Sequence, residues 1–381
     1  MRALEGVRVL DFSVGHDASA ATMYMADHGA EVIKIENSAV GGDVARNWAP
    51  IKNGKSAYFE LLNRGKKSVA LDFGKSETRD TLLQLIKTVD VVVDNLPVDQ
   101  LADMGLSYEV MSETNPEVIY AKLTPYGMTG PMRNYPGTEF TTFAYSGFLQ
   151  VTGFPQERPT VAGYPIMGYS AAHYLLGAVT AALIARMETD RGQMLDLSMA
   201  DLSMSMLEDR YASLELEGID SRRCGNAHPT ITPYDTIACK DGYVNISPST
   251  PKMWEDFCTV LEFPEIMHVP EYENMELRQY AYFQGDLRTR IETALKKYTK
   301  QEAAKLLNDV GIPAAPVCTV SEAYHSEQLA VKNVVIKKHD EVLGDYAVPS
   351  SLAEMSATPS DVSAPAPALG AHNASVLGAN R

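Results

Sequence analysis

Several things are scarce in this chain, and each scarcity closes off a class of function. Its four cysteines, Cys224, Cys239, Cys258 and Cys318, stand far apart with no C-x-x-C pair, so neither a disulfide framework nor a zinc site is suggested. Basic charge is in deficit: 33 Lys and Arg against 49 Asp and Glu leave a net charge of −16, which argues against partners such as nucleic acid or an acidic membrane. The longest apolar run, residues 174–185, is too short to cross a bilayer. Residues 1–16 lack the apolar core of a signal peptide, and a reducing cytoplasm fits. Neither G-x-G-x-x-G nor G-x-x-x-x-G-K-[ST] occurs, which leaves dinucleotide and P-loop readings without support. One further absence is local: no Asp or Glu lies between Glu157 and Glu188.

That carboxylate-free window has two halves. Residues 171–186 read as a buried helix, apolar nearly all round, with Gly177, Ala181 and Ala185 four apart on one face where another backbone could approach. Gly163, Pro165 and Gly168 mark the loop that feeds it. A helix start welcomes an anion, and this one has none of its own in sequence.

The chain has 381 residues, enough for two domains. Strand-like runs at 7–12, 31–35, 68–71, 90–94 and 118–123 alternate with helical stretches at 18–29 and 76–88, the second capped by Ser76. The alternation predicts an α/β fold with a mostly parallel sheet, and ligand outside the carboxyl ends of its strands. Further on, 202–216 reads as a Met-rich amphipathic helix whose Met199, Met204 and Met206 fill core. Residues 234–246 read as strand with a turn at Asp241-Gly242, and 254–261, 286–298 and 300–310 as helices, plausible for a second, smaller domain. The tail, 350–381, is rich in Pro, Ala and Ser and is expected to run extended over the surface.

Arg46, Lys52, Lys55, Arg64, Lys66 and Lys67 fall within residues 46–71, where Glu60 is the only acid before the stretch ends. Such a cluster suits either a phosphorylated ligand or a solvated loop. Residues 126–153 are rich in Gly, Thr and aromatics, with Glu139 their single acid; it reads as a surface carboxylate or as the first turn of a helix.

Motifs in a fixed order carry a resemblance. They are LEGVRVLDFS at 4–13, GAEVIKIE at 29–36, NRGKKSVALD at 63–72, MGLSYEVM at 104–111, RGQMLDLSMAD at 191–201, GNAHP at 225–229, PYDTIACKDGYV at 233–244, GIPAAPV at 311–317 and APALGAH at 366–372. The chain resembles the family III CoA-transferases, the CaiB/BaiF group, over nearly its whole length. The resemblance implies a Rossmann-like large domain, residues 1–225 and 330–381, with a smaller domain and its linkers, 226–329, inserted between its parts. It implies two chains interlocked as rings, and CoA thioesters as substrates with no permanently bound cofactor or metal. The matching CoA-side positions are His16, Ala18, Lys66, Lys67, Asn95, Leu96 and Met104, to which the charge pattern adds Arg46.

In that family an Asp just before the window's helix attacks the thioester, giving a mixed anhydride. Here that position falls on Gly168, and a shift of one residue gives Met167 or Tyr169. The positions of the racemase histidine and aspartate are Thr138 and Glu139, so that proton pair is incomplete. Asn37 and Asp103 stand where transferases often carry CoA-binding arginines. The favoured reading is therefore an Asp-less subunit that pairs with a homologous catalytic subunit, as in benzylsuccinate CoA-transferase. The alternatives are a self-paired enzyme, transferase or racemase, using Glu139, Asp17 or His173, or a substrate carboxylate with no covalent enzyme intermediate, and a non-catalytic acyl-CoA-binding protein. His173 reads in the first instance as a packed helix residue.

Overall fold

A computed structural model describes residues 1–351 and 353–378; Leu352 and residues 379–381, within the expected tail, lie outside the described residues. The chain divides into two compact units. The first is formed by Met1–Phe148, Ala162–Ala212 and Gln328–Arg381, the second by Leu149–Val161 and Ser213–Glu327. The second unit thus starts earlier than residue 226 and draws in a segment from before the long apolar helix.

The first unit is built on a six-stranded sheet: β1 (Arg8–Asp11), β2 (Glu31–Asn37), β3 (Lys67–Leu71), β4 (Val91–Asp94), β5 (Ile119–Thr124) and β6 (Met194–Ser198). All neighbours are parallel, in the order β3-β2-β1-β4-β5-β6. This is a mixed α/β fold with a parallel sheet, as the strand–helix alternation predicts, and it is Rossmann-like, as the resemblance implies. Central strands β4 and β5 are buried along their whole length, which is why neither alternates apolar with polar; the one cation of β5, Lys122, is buried against Asp94 of β4 at 2.6 Å. The strand order reverses between β1 and β4, and ligands of such sheets bind in the crevice beyond the strand ends at that point.

Two helices of this unit pack on each other. Helix α1 (Asp17–Asp27) follows β1, and its Ala18, Ser19, Ala20, Ala21 and Thr22 are all buried. Small side chains there let the long helix Ile166–Thr189 lie close along it. The helices between them in sequence include α2 (Ser76–Ile86) and α3 (Glu139–Tyr145), and the long helix is labelled α4. Ser76 is the first residue of α2, not its cap; Lys75 precedes it with no side-chain hydrogen bond.

The expectation of a helix starting at 171 and buried all round is corrected twice. Helix α4 begins at Ile166, so Gly168 sits in its first turn rather than in the loop before it. Only one side is covered: Tyr174, Ile184 and Met187 are exposed, and so are Gly177, Ala181 and Ala185. With 24 residues, α4 is also long and apolar enough to span a membrane by composition alone, yet it packs on α1 and on β5. The Met-rich stretch forms two helices, Met199–Ser205 and Glu208–Glu217, with Met204 and Met206 exposed and Met199 buried.

The tail closes the far edge of the sheet. Asn373 gives and takes hydrogen bonds with the Ala70 backbone (2.8 and 3.0 Å) and His372 N–H donates to Ser68 (2.9 Å), so edge strand β3 is covered.

The second unit has its own core. Strands Asp235–Ala238, Tyr243–Ile246 and Ala314–Pro316 form an antiparallel sheet. Helices Pro251–Val260, Leu287–Leu295 and Lys300–Asn308 belong to the same unit, and Trp254, Phe257, Ile291 and Leu307 pack with Ile237 and Val244 in one cluster.

Candidate active site

The loop from β1 to α1 is held from three sides. Asp11 accepts from the Ser13 N–H (2.9 Å), Asp43 from the Gly15 N–H (2.9 Å), and Asn95 both accepts from and donates to the Val14 backbone (2.8 and 2.9 Å). The last pair staples the two loops that flank the switch point. Gly15 is at φ +74°, and a Cβ there would come within 3.0 Å of the Trp48 ring, so the turn needs glycine. The loop delivers His16 and Asp17 to the start of α1, with His16 Nδ1 3.1 Å from Asp17 Oδ1. His16 is 8% exposed, and its Nε2 is buried without a hydrogen-bond partner among the described residues.

Helix α4 starts after Pro165, which brings no capping side chain. Its orphan N–H groups are met from another element. The Gly168 N–H donates to Glu139 Oε2 at 3.0 Å, and the Met167 N–H also favours the Glu139 carboxylate. Glu139 is held in place by the α3 capping box of Thr138 and Thr141. Burial pushes the Glu139 carboxyl above its ordinary pKa; the Gly168 and Met167 N–H groups and His16 oppose that, and Asp17 adds to it. Glu139 Oε1 is buried without a hydrogen-bond partner among the described residues.

The first turns of α1, α3 and α4 therefore meet. A Cβ at Gly168 would lie 2.4 Å from His16 Nδ1 and 2.5 Å from Asp17 Oδ1. The window of sequence around 168 has no acid, but the space around it has two. Three tyrosines join them. Tyr169 stands edge-on to His16 at 4.4 Å between ring centroids and hydrogen-bonds Tyr164 (3.3 Å). Tyr58, whose hydroxyl burial pushes up to about 12, is near enough to Asp17 and Glu139 to feel both charges. His173 is exposed and stacks on Tyr24 at 4.9 Å, one turn further along, so it is not packed in a core.

Replacing Glu139 by Gln tests the carboxylate's state. A group whose folded pKa is raised destabilises the fold once pH climbs above its unfolded value, near 4.5. E139Q is thus expected to melt higher than the wild type at pH 7, with the gap closing as pH falls below about 4.5. Melting curves across pH check this; an E139Q protein less stable than wild type at pH 7 would contradict it.

The six basic residues of the 46–71 stretch do not form a free phosphate site. Lys66 is fully buried, and its ammonium donates to Asp11 (2.9 Å), Ser19 O (3.0 Å) and Asn63 (3.0 Å), which uses all three of its protons. Arg64 pairs with Asp27 and Lys55 with Glu60 and Asp340. Lys52 donates to Leu343 O. Arg46 grips Glu36 with two bonds (2.8 and 2.7 Å) and lies over Phe59, and Lys67 pairs with Glu31 at the surface. The acids that neutralise them come mostly from β1, β2 and α1, far away in sequence.

Of the other expected CoA-side positions, Asn95 and Leu96 line a cleft of ≈ 650 Å³ beyond β4 and β5, together with Asp99, Asp103, Thr124 and Arg133. Arg133, which sequence reasoning missed, is the one cationic side chain in that lining and pairs with Asp99 at 2.7 Å. Ala18 is buried and Met104 packs partly against the sheet core. Asn37 caps the turn after β2. Among the described residues no group of His, Cys, Asp or Glu is placed to hold a metal ion.

Residues 4–373 match the model of CoA-transferase family III, and the chain belongs to that family. It is 30% identical over 384 residues to a succinate–glutarate CoA-transferase of Agrobacterium fabrum, covering 98% of this chain and 94% of that one. It is 29% identical over 334 residues to an acetyl-CoA:oxalate CoA-transferase of Acetobacter aceti, covering 87% and 85%. The crystal structure of a CaiB/BaiF family protein from Brucella suis superimposes with a TM-score of 0.87 at 27% identity, covering all of both chains.

Proposed function

We propose that this chain moves CoA between a short acyl-CoA of the succinyl class and a short carboxylic acid, in the cytoplasm. The observation that carries this is the convergence of Asp17 and Glu139 on the bare first turn of α4, at the strand ends where family members work. A transferase must hold an acyl group while CoA changes partners, and a carboxylate in a partly desolvated cleft can do so. The names of the relatives support small dicarboxylic acids as the acyl class. CoA would lie along the cleft past Asn95 and Leu96, with Arg133 as its charged contact; Arg46, Lys66 and Lys67 are engaged in ion pairs, and Ala18 and Met104 are packing residues.

Two chains would assemble as interlocked rings, and the exposed Gly177–Ala181–Ala185 face of α4 is a surface on which a second backbone could close. A second reading keeps this chain as the Asp-less subunit of a heteromer, and Gly168 itself favours it, because that position has no side chain to attack with. The expected substrate profile separates acid classes: with succinyl-CoA as donor, C4–C6 dicarboxylates outpace monocarboxylates of equal length by about tenfold or more, the value of one charged contact. Chromatography of the CoA thioesters formed checks this, and equal rates with monocarboxylates would remove the substrate assignment.

A further inference from the structure

We propose that Asp17, on the first turn of α1, is the nucleophile of this chain, standing where helix α4 presents no side chain of its own. The inference rests on the CoA-transfer reading above. A Cβ at 168 would fall 2.5 Å from Asp17 Oδ1. The carboxylate thus occupies the place that a side chain on α4 would fill, reached from the neighbouring helix.

Glu139 also has one anchored and one unpartnered oxygen, but its free Oε1 is buried. Three observations favour Asp17. Glu139 is committed to the start of α4 through the Gly168 N–H, 3.0 Å away, and burial favours its protonated form, whereas a nucleophile must be ionised. The Asp17 side chain is 26% exposed, so a thioester can reach it, while His16 beside it is 8% exposed. His16 Nδ1 holds Oδ1 at 3.1 Å, and no hydrogen bond engages Oδ2 among the described residues. One oxygen is anchored and the other is left to react. The buried, unpartnered His16 Nε2 is a second polar group at the same point.

The transfer balances without any further reactant. Asp17 Oδ2 attacks the thioester carbon, the C–S bond breaks with its electrons going to sulfur, and a mixed anhydride and CoA thiolate result. The thiolate adds to the aspartyl carbonyl and expels the donor acid as a carboxylate, leaving an aspartyl-CoA thioester. The acceptor carboxylate attacks that carbonyl, forming a new anhydride and releasing thiolate again. Attack of the thiolate on the acceptor's acyl carbon makes the product thioester and returns Asp17 as a carboxylate.

The experiment incubates the full-length chain with succinyl-CoA, quenches with hydroxylamine and maps the modified peptide by mass spectrometry, alongside D17N and E139Q. The expected result is a hydroxamate on Asp17 in the wild type and in E139Q, none in D17N, and a fall in succinyl-CoA:glutarate transfer by about a thousandfold or more in D17N. Melting curves show whether D17N is folded, and the wild-type adduct decides the matter if it is not. An adduct on Glu139, on another residue or on a co-purifying chain, with transfer intact, overturns the assignment to Asp17 and leaves the CoA-transfer reading standing. Absence of both adduct and transfer in the wild type overturns both.

Discussion

Replacing Lys66 by alanine costs the fold about 3–5 kcal/mol, the usual penalty for stranding one partner of a buried ion pair. Lys66 and Asp11 both have fully buried side chains, 2.9 Å apart. The loss would reach beyond the pair. Asp11 also holds the Ser13 N–H and the Thr22 hydroxyl (2.9 Å each), and Ser13 begins the loop that carries His16 and Asp17. Lys67, next in sequence, is the contrast: its pair with Glu31 is 41% and 32% exposed, so K67E should shift stability by no more than about 1 kcal/mol. Urea unfolding of the two variants side by side distinguishes these roles. A K66A protein with an unchanged midpoint and weakened CoA binding would return Lys66 to the ligand.

Installing the family's aspartate at 168 harms the wild-type chain rather than improving it. Its Cβ alone would press on His16 Nδ1 and Asp17 Oδ1 at 2.4 and 2.5 Å, closer than non-bonded atoms tolerate. Overpacking of this kind costs about 1–3 kcal/mol. A third carboxylate beside Asp17 and Glu139 also adds like-charge repulsion to a partly desolvated site. G168D is therefore expected to lose at least about tenfold in transfer rate and to melt lower. Removing the obstructing acid should restore much of both, so D17A/G168D should exceed either single variant in transfer. That sign reversal is the signature of a carboxylate moved between helices. A fully active G168D protein would show that the space is not held by Asp17.

Both charge patterns look different in space for one reason. Charge read along the chain shows an acid-free window and a base-rich stretch, whereas burial pairs charges across the sheet. Asp11, Asp27, Glu31 and Glu36 reach Lys66, Arg64, Lys67 and Arg46 from strands and a helix that precede them. In the same way Glu139, 29 residues before Gly168, caps the helix that lacks an acid of its own. The strands were legible because central parallel strands are apolar on both faces; 90–94 and 118–123 differ from the observed Val91–Asp94 and Ile119–Thr124 by a single residue at each shifted end. The start of α4 was not legible. Pro165 and Gly168 both signal a break, and what sustains the helix through Gly168 is Glu139, invisible from the local sequence. The exposed side of α4 was equally hidden, since an apolar face reads alike whether its cover is the same chain or another.

The most direct test of the account is whether one polypeptide suffices. Purify the chain alone, establish by native mass spectrometry that a single sequence is present, and supply succinyl-CoA with glutarate. Glutaryl-CoA is expected to form at catalytic turnover from that one polypeptide. Glutaryl-CoA appearing only after a related, Asp-bearing chain is added would contradict it and establish this chain as the scaffold of a heteromer.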